Sequence, residues 1–573
     1  MTIAIHENIP DSRGLNAFRM DPGFADLMQI YLPADMREMV LPRLDQMGAL
    51  VGGRLEQLAL TADKFPPVLH TRARNGASRE HIEKHPAYVE LERYAFGEFG
   101  LAAMSHRGGV FGAADKLPPL VKYALVYLFV QAEFGLCCPL SMTDSLTRTL
   151  VKFGSDELVK RYFDQLTSQD MDALFQGAMF MTEQAAGSDV GAIGTFARQE
   201  DGTWRLYGDK WFCSNPDAAL AMVLARPEGA QDGTRGLSLF LLPRVLPDGS
   251  GNAYRILRLK DKLGTRSMAS GEICLEGATA YLVGEEGQGF KQMADMINMS
   301  RLANGVRSAG LMRRSVNEAL FIARNRTAFG KRLIDLPLMR RQLAKMLVTA
   351  EQGRSMVFQT ARVLQEADAG DAQQARVLRI LTPLVKFRTC RDARKVVGDG
   401  MEVRGGCGYI EEWSDARALR DAHLGSIWEG TSNIVALDVV RAVRREDALS
   451  ALSAHIKGLI EETEDGLGPQ PDLADRFARA AEMLDDVAQS RDREADTRQA
   501  ASAVYNASSA VIMAWEGARL ARATNSHAGD RLKLAEAVLR HKLSSRDPLA
   551  GNERNDALDR ELLDQEDRAA NSI

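Results

Sequence analysis

Cysteine is scarce: six are spread over 573 residues, at 137, 138, 213, 274, 390 and 407, and none forms a C-x-x-C pair. The chain therefore signals neither a zinc framework nor a disulfide scaffold. Reduced, buried thiols and a cytoplasmic location are the expectation. Histidine is equally sparse. The nine residues form no H-E-x-x-H or other ligand spacing, so no metal site is expected. Long apolar runs are missing. The most apolar stretch, residues 123–130, is bounded by Lys122 and Glu133 and suits a core helix rather than a membrane span. Residues 1–10 carry acid and no basic segment, so they do not read as a secretory signal. A G-x-S-x-G elbow and a Walker loop are also absent. Neither sign of charge dominates. A net charge of −5 gives no whole-chain reason to expect nucleic acid or an anionic membrane as partner.

What is present implies two to four domains at this length. Residues 1–35 form a mixed extension with Pro10, Pro22 and Pro33, read as an arm. Residues 36–172 read as a helical domain, with Met36, Met39, Val40, Leu44 and Met47 at spacings of three and four. Asp35 is placed to cap the first helix, and residues 65–75 suggest a loop. Acidic Asp156 and Glu157 suit the start of a further helix over 154–166. From 173 to 284 the text turns strand-like. Residues 203–207 alternate, Gly208-Asp209 signals a turn, and 220–225 and 236–242 are short apolar runs. A small β-barrel or sandwich is predicted there. Helical periodicity returns over 285–445, broken at 335–337 and 398–408. Residues 446–573 form a further helical region with roughly 25 acidic against roughly 16 basic residues, a loop at 466–471 and a polar tail from 548 expected to fray. The fold class is mainly α with a central β domain.

Five stretches can carry chemistry. Residues 427–433 place Glu429 among Ile427, Trp428, Ile434 and Val435. A carboxylate in apolar surroundings has its pKa raised toward the range of a general base, although a Glu before a Gly also serves as a plain turn residue. Residues 180–190 offer Met181, the hydroxyls of Thr182 and Ser188, and Gly187, where backbone can approach a ligand. Residues 210–215 set Trp211 and Phe212 beside Ser214 and Asn215, an aromatic face with a hydroxyl donor, or simply core packing. Residues 326–331 carry Arg326, which can clamp a diphosphate, and Phe329, which can stack on a base. A solvated basic helix end is the plain alternative. Residues 401–409 hold Glu402 and the pair Gly405-Gly406, whose backbone N–H groups suit an anion if this is more than a glycine turn.

Taken together, in this order and spacing, the five stretches resemble the acyl-CoA dehydrogenase superfamily over residues 85–445. The segments at 180–190 and 401–409 and the long C-terminal extension look most like its AidB-like branch. The resemblance implies a helical domain, a β-barrel and a four-helix bundle, plus the extension, with FAD held between barrel and bundle. It implies flavin contacts from Met181, Thr182, Phe212 and Ser214, with Ser214 near flavin N5. Ser188 matches a serine touching flavin phosphate or substrate. Arg326, Phe329, Glu402, Gly405 and Gly406 would reach the FAD of a neighbouring subunit, and Thr431 and Asn433 would touch cofactor beyond the base. A shared cofactor implies a homodimer or homotetramer.

By the same resemblance Glu429 removes the α-proton of an acyl-CoA thioester and hydride passes from the β-carbon to flavin N5. The Glu429 backbone N–H and a ribityl hydroxyl would stabilise the developing enolate. Gly430 lies beside substrate, and Arg301 matches a helix arginine at the substrate end of the pocket or packs structurally. Members that carry their base just before that arginine are excluded as a model, because Ser300 stands there. Electron-transfer flavoprotein is the implied acceptor. Two departures stand out. Glu402 replaces the usual Gln and repels a diphosphate unless paired with Arg404 or Arg326, and Phe212 replaces the usual Trp. The AidB-like branch also implies an alternative, a flavoprotein that binds or protects DNA with little turnover. The acidic extension weighs against nucleic acid, leaving a basic patch assembled across subunits as the way to bind it.

Overall fold

A computed structural model of the protein describes residues 9–523, 528–545, 549 and 555–570. Helices α1 (Pro22–Tyr31), α2 (Ala34–Gly52) and α3 (Arg54–Lys64) lead into a hairpin, β1 (Val68–Arg72) and β2 (Ser78–Glu83). Helices α4 (Pro86–Glu92), α5 (Pro119–Phe129), α6 (Cys137–Phe153) and α7 (Asp156–Leu166) follow. Strands β3 (Gly177–Phe180), β4 (Phe196–Glu200), β5 (Thr203–Ser214), β6 (Leu220–Pro227), β7 (Ser238–Pro243), β8 (Tyr254–Leu259) and β9 (Ser270–Val283) form the β region. Then come α8 (Gly289–Asn325), the two-residue strands β10 (Thr327–Ala328) and β11 (Lys331–Arg332), α9 (Pro337–Asp368), α10 (Ala372–Arg404), α11 (Asp415–Gly425) and α12 (Ser432–Glu446). The extension holds α13 (Ala448–Leu467), α14 (Pro471–Gln489), α15 (Thr497–Ala523), α16 (Ala528–Lys542) and α17 (Asn555–Ala570). Among the described residues no helix is long and apolar enough to cross a membrane.

Contacts divide the chain into two units that ignore linear order. One takes residues up to 54, residues 123–132 and those from 304 onward; the other takes 55–122 and 133–303. In the second unit the predicted barrel closes. β6 pairs with β4, β4 with β5, β5 with β9, β9 with β7 and β7 back with β6. β3 runs parallel to β6 from Gly177↔Leu220 to Phe180↔Val223, and β8 adds to β9. Because β6 has neighbours on both edges and lies in the wall of the barrel, its run of Leu, Ala, Met and Val is buried, as a central strand requires. Phe180, Leu206, Val223, Phe240 and Ile273 fill the interior.

Three local expectations are corrected here. Gly208-Asp209 is not a turn: β5 runs through it to Ser214. Gly208, at φ +131 and paired with Leu275, stands next to the register shift that leaves Gly277 of β9 unpaired, and a Cβ on Gly208 would meet the Thr195 Cα at 2.9 Å. A glycine there lets two backbones close beside the bulge. Residues 65–75 are not all loop, because β1 and β2 pair around an Asn75-Gly76 turn with Gly76 at φ +84. Asp35 does not cap α2. Pro33 holds that position and Asp35 lies in the first turn.

In the first unit α9 is buried on nearly every face between Leu343 and Leu364, the signature of a central helix. Glycines of α8 and α9 let the helices close. A Cβ on Gly305 would meet Val385 of α10 at 2.2 Å, and one on Gly353 would meet Met312 of α8 at 2.7 Å. Asp371 caps α10 by accepting from the Gln373 and Gln374 N–H groups at 2.8 and 3.0 Å.

The extension is locked to this bundle by buried charge. Asp21, ahead of α1, accepts from Arg354 of α9 at 2.6 Å and pairs with Arg313 of α8 at 3.3 Å. Arg313 also reaches Glu351 at 3.0 Å and Glu566 of α17 at 2.6 Å. Arg531 of α16 bridges Glu351 and Glu516 of α15, and the Tyr31 hydroxyl donates to Glu516 at 2.9 Å. The tail expected to fray is therefore docked where it is described: Leu562 and Leu563 of α17 are buried, and Asp559 pairs with Arg341. Residues 546–548, 550–554 and 571–573 lie outside the described residues.

Burial pushes the Glu351 carboxyl up, but Arg354, Arg531 and Arg313 outweigh it and hold the group below its ordinary value. The stabilisation it contributes is thus present at neutral pH and lost as pH falls through that lowered value. Arg354→Met strands Asp21 and Glu351 with one partner fewer. A loss of about 3–5 kcal/mol is expected, read from the urea midpoint at pH 7, and an unchanged midpoint would show the network to be idle.

Candidate functional site

In the barrel unit the end of β3 meets the middle of β5. The Trp211 N–H donates to the Thr182 carbonyl at 2.8 Å, which fixes Met181-Thr182 beside Trp211-Phe212. Phe212 presents its ring outward at 59% exposure, edge-on to Trp211 with centroids 6.3 Å apart. Lys260 lies over both rings, 3.4 Å from the Trp211 centroid and 4.9 Å from that of Phe212. Ser214 occupies the last paired position of β5, opposite Ser270. Asn215 then turns the chain with φ +56. Met181, Thr182, Phe212 and Ser214 are thus gathered on one rim. Ser188 stands exposed on the loop beyond.

A buried pair that the sequence reading passed over organises that loop. Lys210, with no exposed side-chain surface, donates to Glu183 at 2.7 Å and to the Leu224 carbonyl at 2.9 Å. Glu183 in turn accepts from the Gly194 N–H at 2.6 Å and from the Thr195 N–H and hydroxyl at 3.1 and 2.5 Å. Burial raises the Glu183 pKa, but Lys210 and these donors hold it below its ordinary value. A lysine pointing inward between two β5 aromatics was the available signal.

The 330 Å³ cavity of this unit lies elsewhere. It is lined by Lys84, Gln176, Asn215, Asp217 and Arg244, at the start of β3, whereas Met181 and Thr182 follow its end. Arg301, on the same unit's part of α8, donates to Asn298 at 3.4 Å. Ser300 beside it is buried and carries a hydroxyl, not a base.

In the bundle unit Glu429 lies between α11 and α12 in the left-handed conformation, φ +55, followed by Gly430 at φ +99. A side-chain-bearing residue held there costs about 1–2 kcal/mol. Trp428 stacks under the Arg307 guanidinium at 5.0 Å. Buried Lys386 of α10 donates to the carbonyls of Gly425 and Gly430 at 2.7 and 3.0 Å. Lys386 escaped the sequence reading, although a single lysine within the apolar run 380–387 was a visible signal. Thr431 sits at the N-cap of α12, and Asn433 is exposed in its first turn.

At the far end of α8, β10 and β11 form a hairpin whose two turn residues, Phe329 (φ +54) and Gly330 (φ +72), are both left-handed. This is the turn geometry hairpins favour, and it holds Phe329 at 94% exposure. Arg326 donates to the Arg404 carbonyl at 3.4 Å. Neither partner foreseen for Glu402 takes it. Arg404 is buried on Asp415 and Glu318 at 2.7 and 2.9 Å, while exposed Glu402 accepts from Gln342 at 3.3 Å. Gly405 (φ +73) and Gly406 have open space where a Cβ would stand.

Residues 287–444 match the C-terminal domain of acyl-CoA dehydrogenases, residues 178–278 the middle domain, and residues 8–173 the N-terminal domain of the adaptive response protein AidB. The chain is 35% identical over 418 residues to the putative acyl-CoA dehydrogenase AidB of Escherichia coli (strain K12), covering 70% of this chain and 74% of that one. It is 32% identical over 465 residues to acyl-CoA dehydrogenase family member 11 of Caenorhabditis elegans, covering 78% and 74%. The crystal structure of C. elegans ACDH-11 in complex with C11-CoA matches with a TM-score of 0.85 at 28% identity, covering 96% and 94%.

Glu183→Gln removes the charge that neutralises buried Lys210 and weakens the acceptor for Gly194 and Thr195. A loss of about 3–5 kcal/mol is expected. Hydrogen exchange at the Gly194 and Thr195 amides should accelerate more than at the β6 amides, and uniform exchange would show that Glu183 does not order this loop.

Proposed function

This chain belongs to the acyl-CoA dehydrogenase family of FAD-binding oxidoreductases, and on that premise we propose that it dehydrogenates an acyl-CoA thioester between the α and β carbons, with Glu429 as base. The observation that carries this reading is the Glu429 loop. A carboxylate on strained left-handed backbone, with its loop held at Gly425 and Gly430 by one buried ammonium, supports the reading of an acid–base group held in place.

The residues present fit FAD. On the barrel rim the outward face of Phe212, the backbone of Met181-Thr182 and the Ser214 hydroxyl suit a flat heterocycle with hydrogen-bonding edges. Ser188 offers a hydroxyl to phosphate or to substrate. On the bundle unit Arg326 and the open backbone at Gly405-Gly406 suit a diphosphate, while Thr431 and Asn433 offer polar groups at the start of α12. Glu402 can accept from a nucleoside hydroxyl or amine but repels a phosphate. When bound, FAD supplies the oxidising power, as acceptor of the hydride that leaves the β-carbon. Glu429 takes the α-proton, and its backbone N–H donates to the thioester oxygen as charge develops there. On this reading Gly430 lies beside the substrate, and Arg301 either stands at the substrate end or packs structurally.

Phe329, Leu338 and Tyr409 are exposed at 94, 85 and 79% on the bundle unit. Large apolar side chains bared in this way support a homodimer or homotetramer in which Phe329 covers a partner's cofactor. Electron-transfer flavoprotein is the acceptor this reading takes.

A second reading, a flavoprotein that binds DNA with little turnover, is favoured by one cluster. Burial, Arg498, Arg388 and Arg394 together hold the Arg391 guanidinium below its ordinary pKa, with Asp392 as the opposing charge. A concentration of guanidinium groups of this kind suits phosphates.

The protein loaded with FAD should be bleached by one or more acyl-CoAs in an anaerobic series, and Glu429→Gln should abolish the bleaching. Bound FAD that no acyl-CoA bleaches would remove the dehydrogenase reading. Under the second reading duplex DNA binds with a steep salt dependence, and Arg498→Gln lowers the slope of log K against log salt by about 1. A slope near zero would remove it.

A further inference from the structure

We propose that Lys386 is the positioning residue that sets Glu429 for proton abstraction, with Arg391 and Arg394 of the same helix completing a clamp on its loop. The proposal rests on the reading of Glu429 as base. Lys386 is 1% exposed and lies among Leu384, Val385 and Phe387. Its ammonium donates to two carbonyls, Gly425 at 2.7 Å and Gly430 at 3.0 Å. These are five residues apart in sequence, so one cation draws both ends of the Glu429 turn to one point.

The rest of the clamp comes from the next turns of α10. Arg394 donates to the Ser426 hydroxyl and Arg391 to the Ser432 hydroxyl, each at 3.3 Å. The Ser426 hydroxyl in turn donates to the His423 carbonyl at 3.3 Å, which ties the loop to the end of α11. Both sides of Glu429 are therefore fastened to the same rigid helix, at Gly425-Ser426 before it and at Gly430 and Ser432 after it.

Two features make the arrangement specific. A Cβ on Gly425 would stand 3.2 Å from the Ser308 hydroxyl and 3.4 Å from the Cys390 Cβ, so the glycine leaves this approach to α8 and α10 uncrowded. The left-handed backbone of Glu429 is unfavourable for a residue with a side chain and persists where surrounding contacts over-determine it. Lys386 supplies contacts directly after that residue, at the Gly430 carbonyl. A buried ammonium is a poor device for stability, since an apolar side chain of equal volume usually serves the fold as well. Its retention here points to what it holds. An acid–base group must be kept within a fraction of an ångström of the atom it serves, and a displacement of about 1 Å can cost ~10²-fold in rate.

The experiment uses the FAD-loaded protein and the acyl-CoA that bleaches it, comparing Lys386→Met, Lys386→Arg and Glu429→Gln with the parent chain. Lys386→Met should lower kcat ~10²-fold with KM within ~3-fold, and should move the acidic limb of the kcat–pH profile, because Glu429 loses its fixed surroundings. Lys386→Arg, which keeps a charged donor, should recover at least a tenth of the parent kcat. Parent-like kcat and pH profile in Lys386→Met would overturn the proposal. Should Lys386→Met fail to fold, Arg394→Gln tests the same clamp from its exposed end: a several-fold fall in kcat at constant KM supports it, and no change overturns it. Turnover that survives Glu429→Gln would instead remove the base assignment. An inactive Glu429→Gln beside a fully active Lys386→Met removes the clamp alone.

Discussion

Three guanidinium groups and four carboxylates sealed inside one unit constrain everything else in it. Arg313, Arg354 and Arg531 meet Asp21, Glu351, Glu516 and Glu566, and all except Glu566 are almost completely buried. Such a network is weak evidence for stability, because each ion gives up several kcal/mol of hydration before its partners repay it. Its strength is exclusivity. The members come from the segment before α1 and from α8, α9, α15, α16 and α17, and any helix that shifts leaves a buried charge unmatched. The extension is thus part of the same body as the bundle. Taking away α16 and α17 would cost Glu351 and Arg313, which lie on the bundle's own helices, one partner each.

The constraint passes inward through α9. Glu351 and Arg354 fix one face of that helix, and Gly353 between them lets it close on its neighbours, with Thr389 of α10 3.0 Å from where a Cβ would stand. Thr389 lies one turn from Lys386, so the helix that carries the Glu429 clamp is seated against the helix that the charges immobilise. The loop from Gly425 to Ser432 inherits that rigidity through its hydrogen bonds to α10 and the Trp428–Arg307 stack, while Ile427 in its middle remains 59% exposed.

Much of this was legible in the sequence, and the reasons are specific. Strands β6 and β7 are apolar runs bounded by turn residues, and they became the inner wall of a closed barrel. The five motif segments identified the family, which the domain matches and two relatives above 30% identity support. What stayed hidden was written in polar residues. The β1–β2 hairpin exposes nearly every side chain and meets the barrel core through Ile82 and Leu69, so it carries little hydrophobic period. Its Asn75-Gly76 turn was the cue available. Helix α17 reads as an acidic tail because its docking depends on Asp559, Glu566 and a narrow stripe of leucines. Buried arginines such as Arg313 and Arg354 look like surface charge until their partners are known, and Asp21 is 333 residues from Arg354.

Glu402 stands where the family resemblance implies a glutamine. The residue lies in the last turn of α10, where the helix dipole already places negative charge, and a carboxylate adds to it. Arg404 cannot neutralise it, since its guanidinium is committed to Asp415 and Glu318 and stacks 4.3 Å from the Trp413 ring. Arg326 turns one of its nitrogens to the Arg404 carbonyl instead. On the proposed reading a diphosphate arriving at this turn is met by the remaining donors of Arg326 and by the Gly406 N–H, because the Gly405 N–H is already given to the Glu402 carbonyl. On the same reading Glu402 suits the nucleoside side of the cofactor, where a carboxylate accepts from hydroxyl or amine groups that carry no charge to repel.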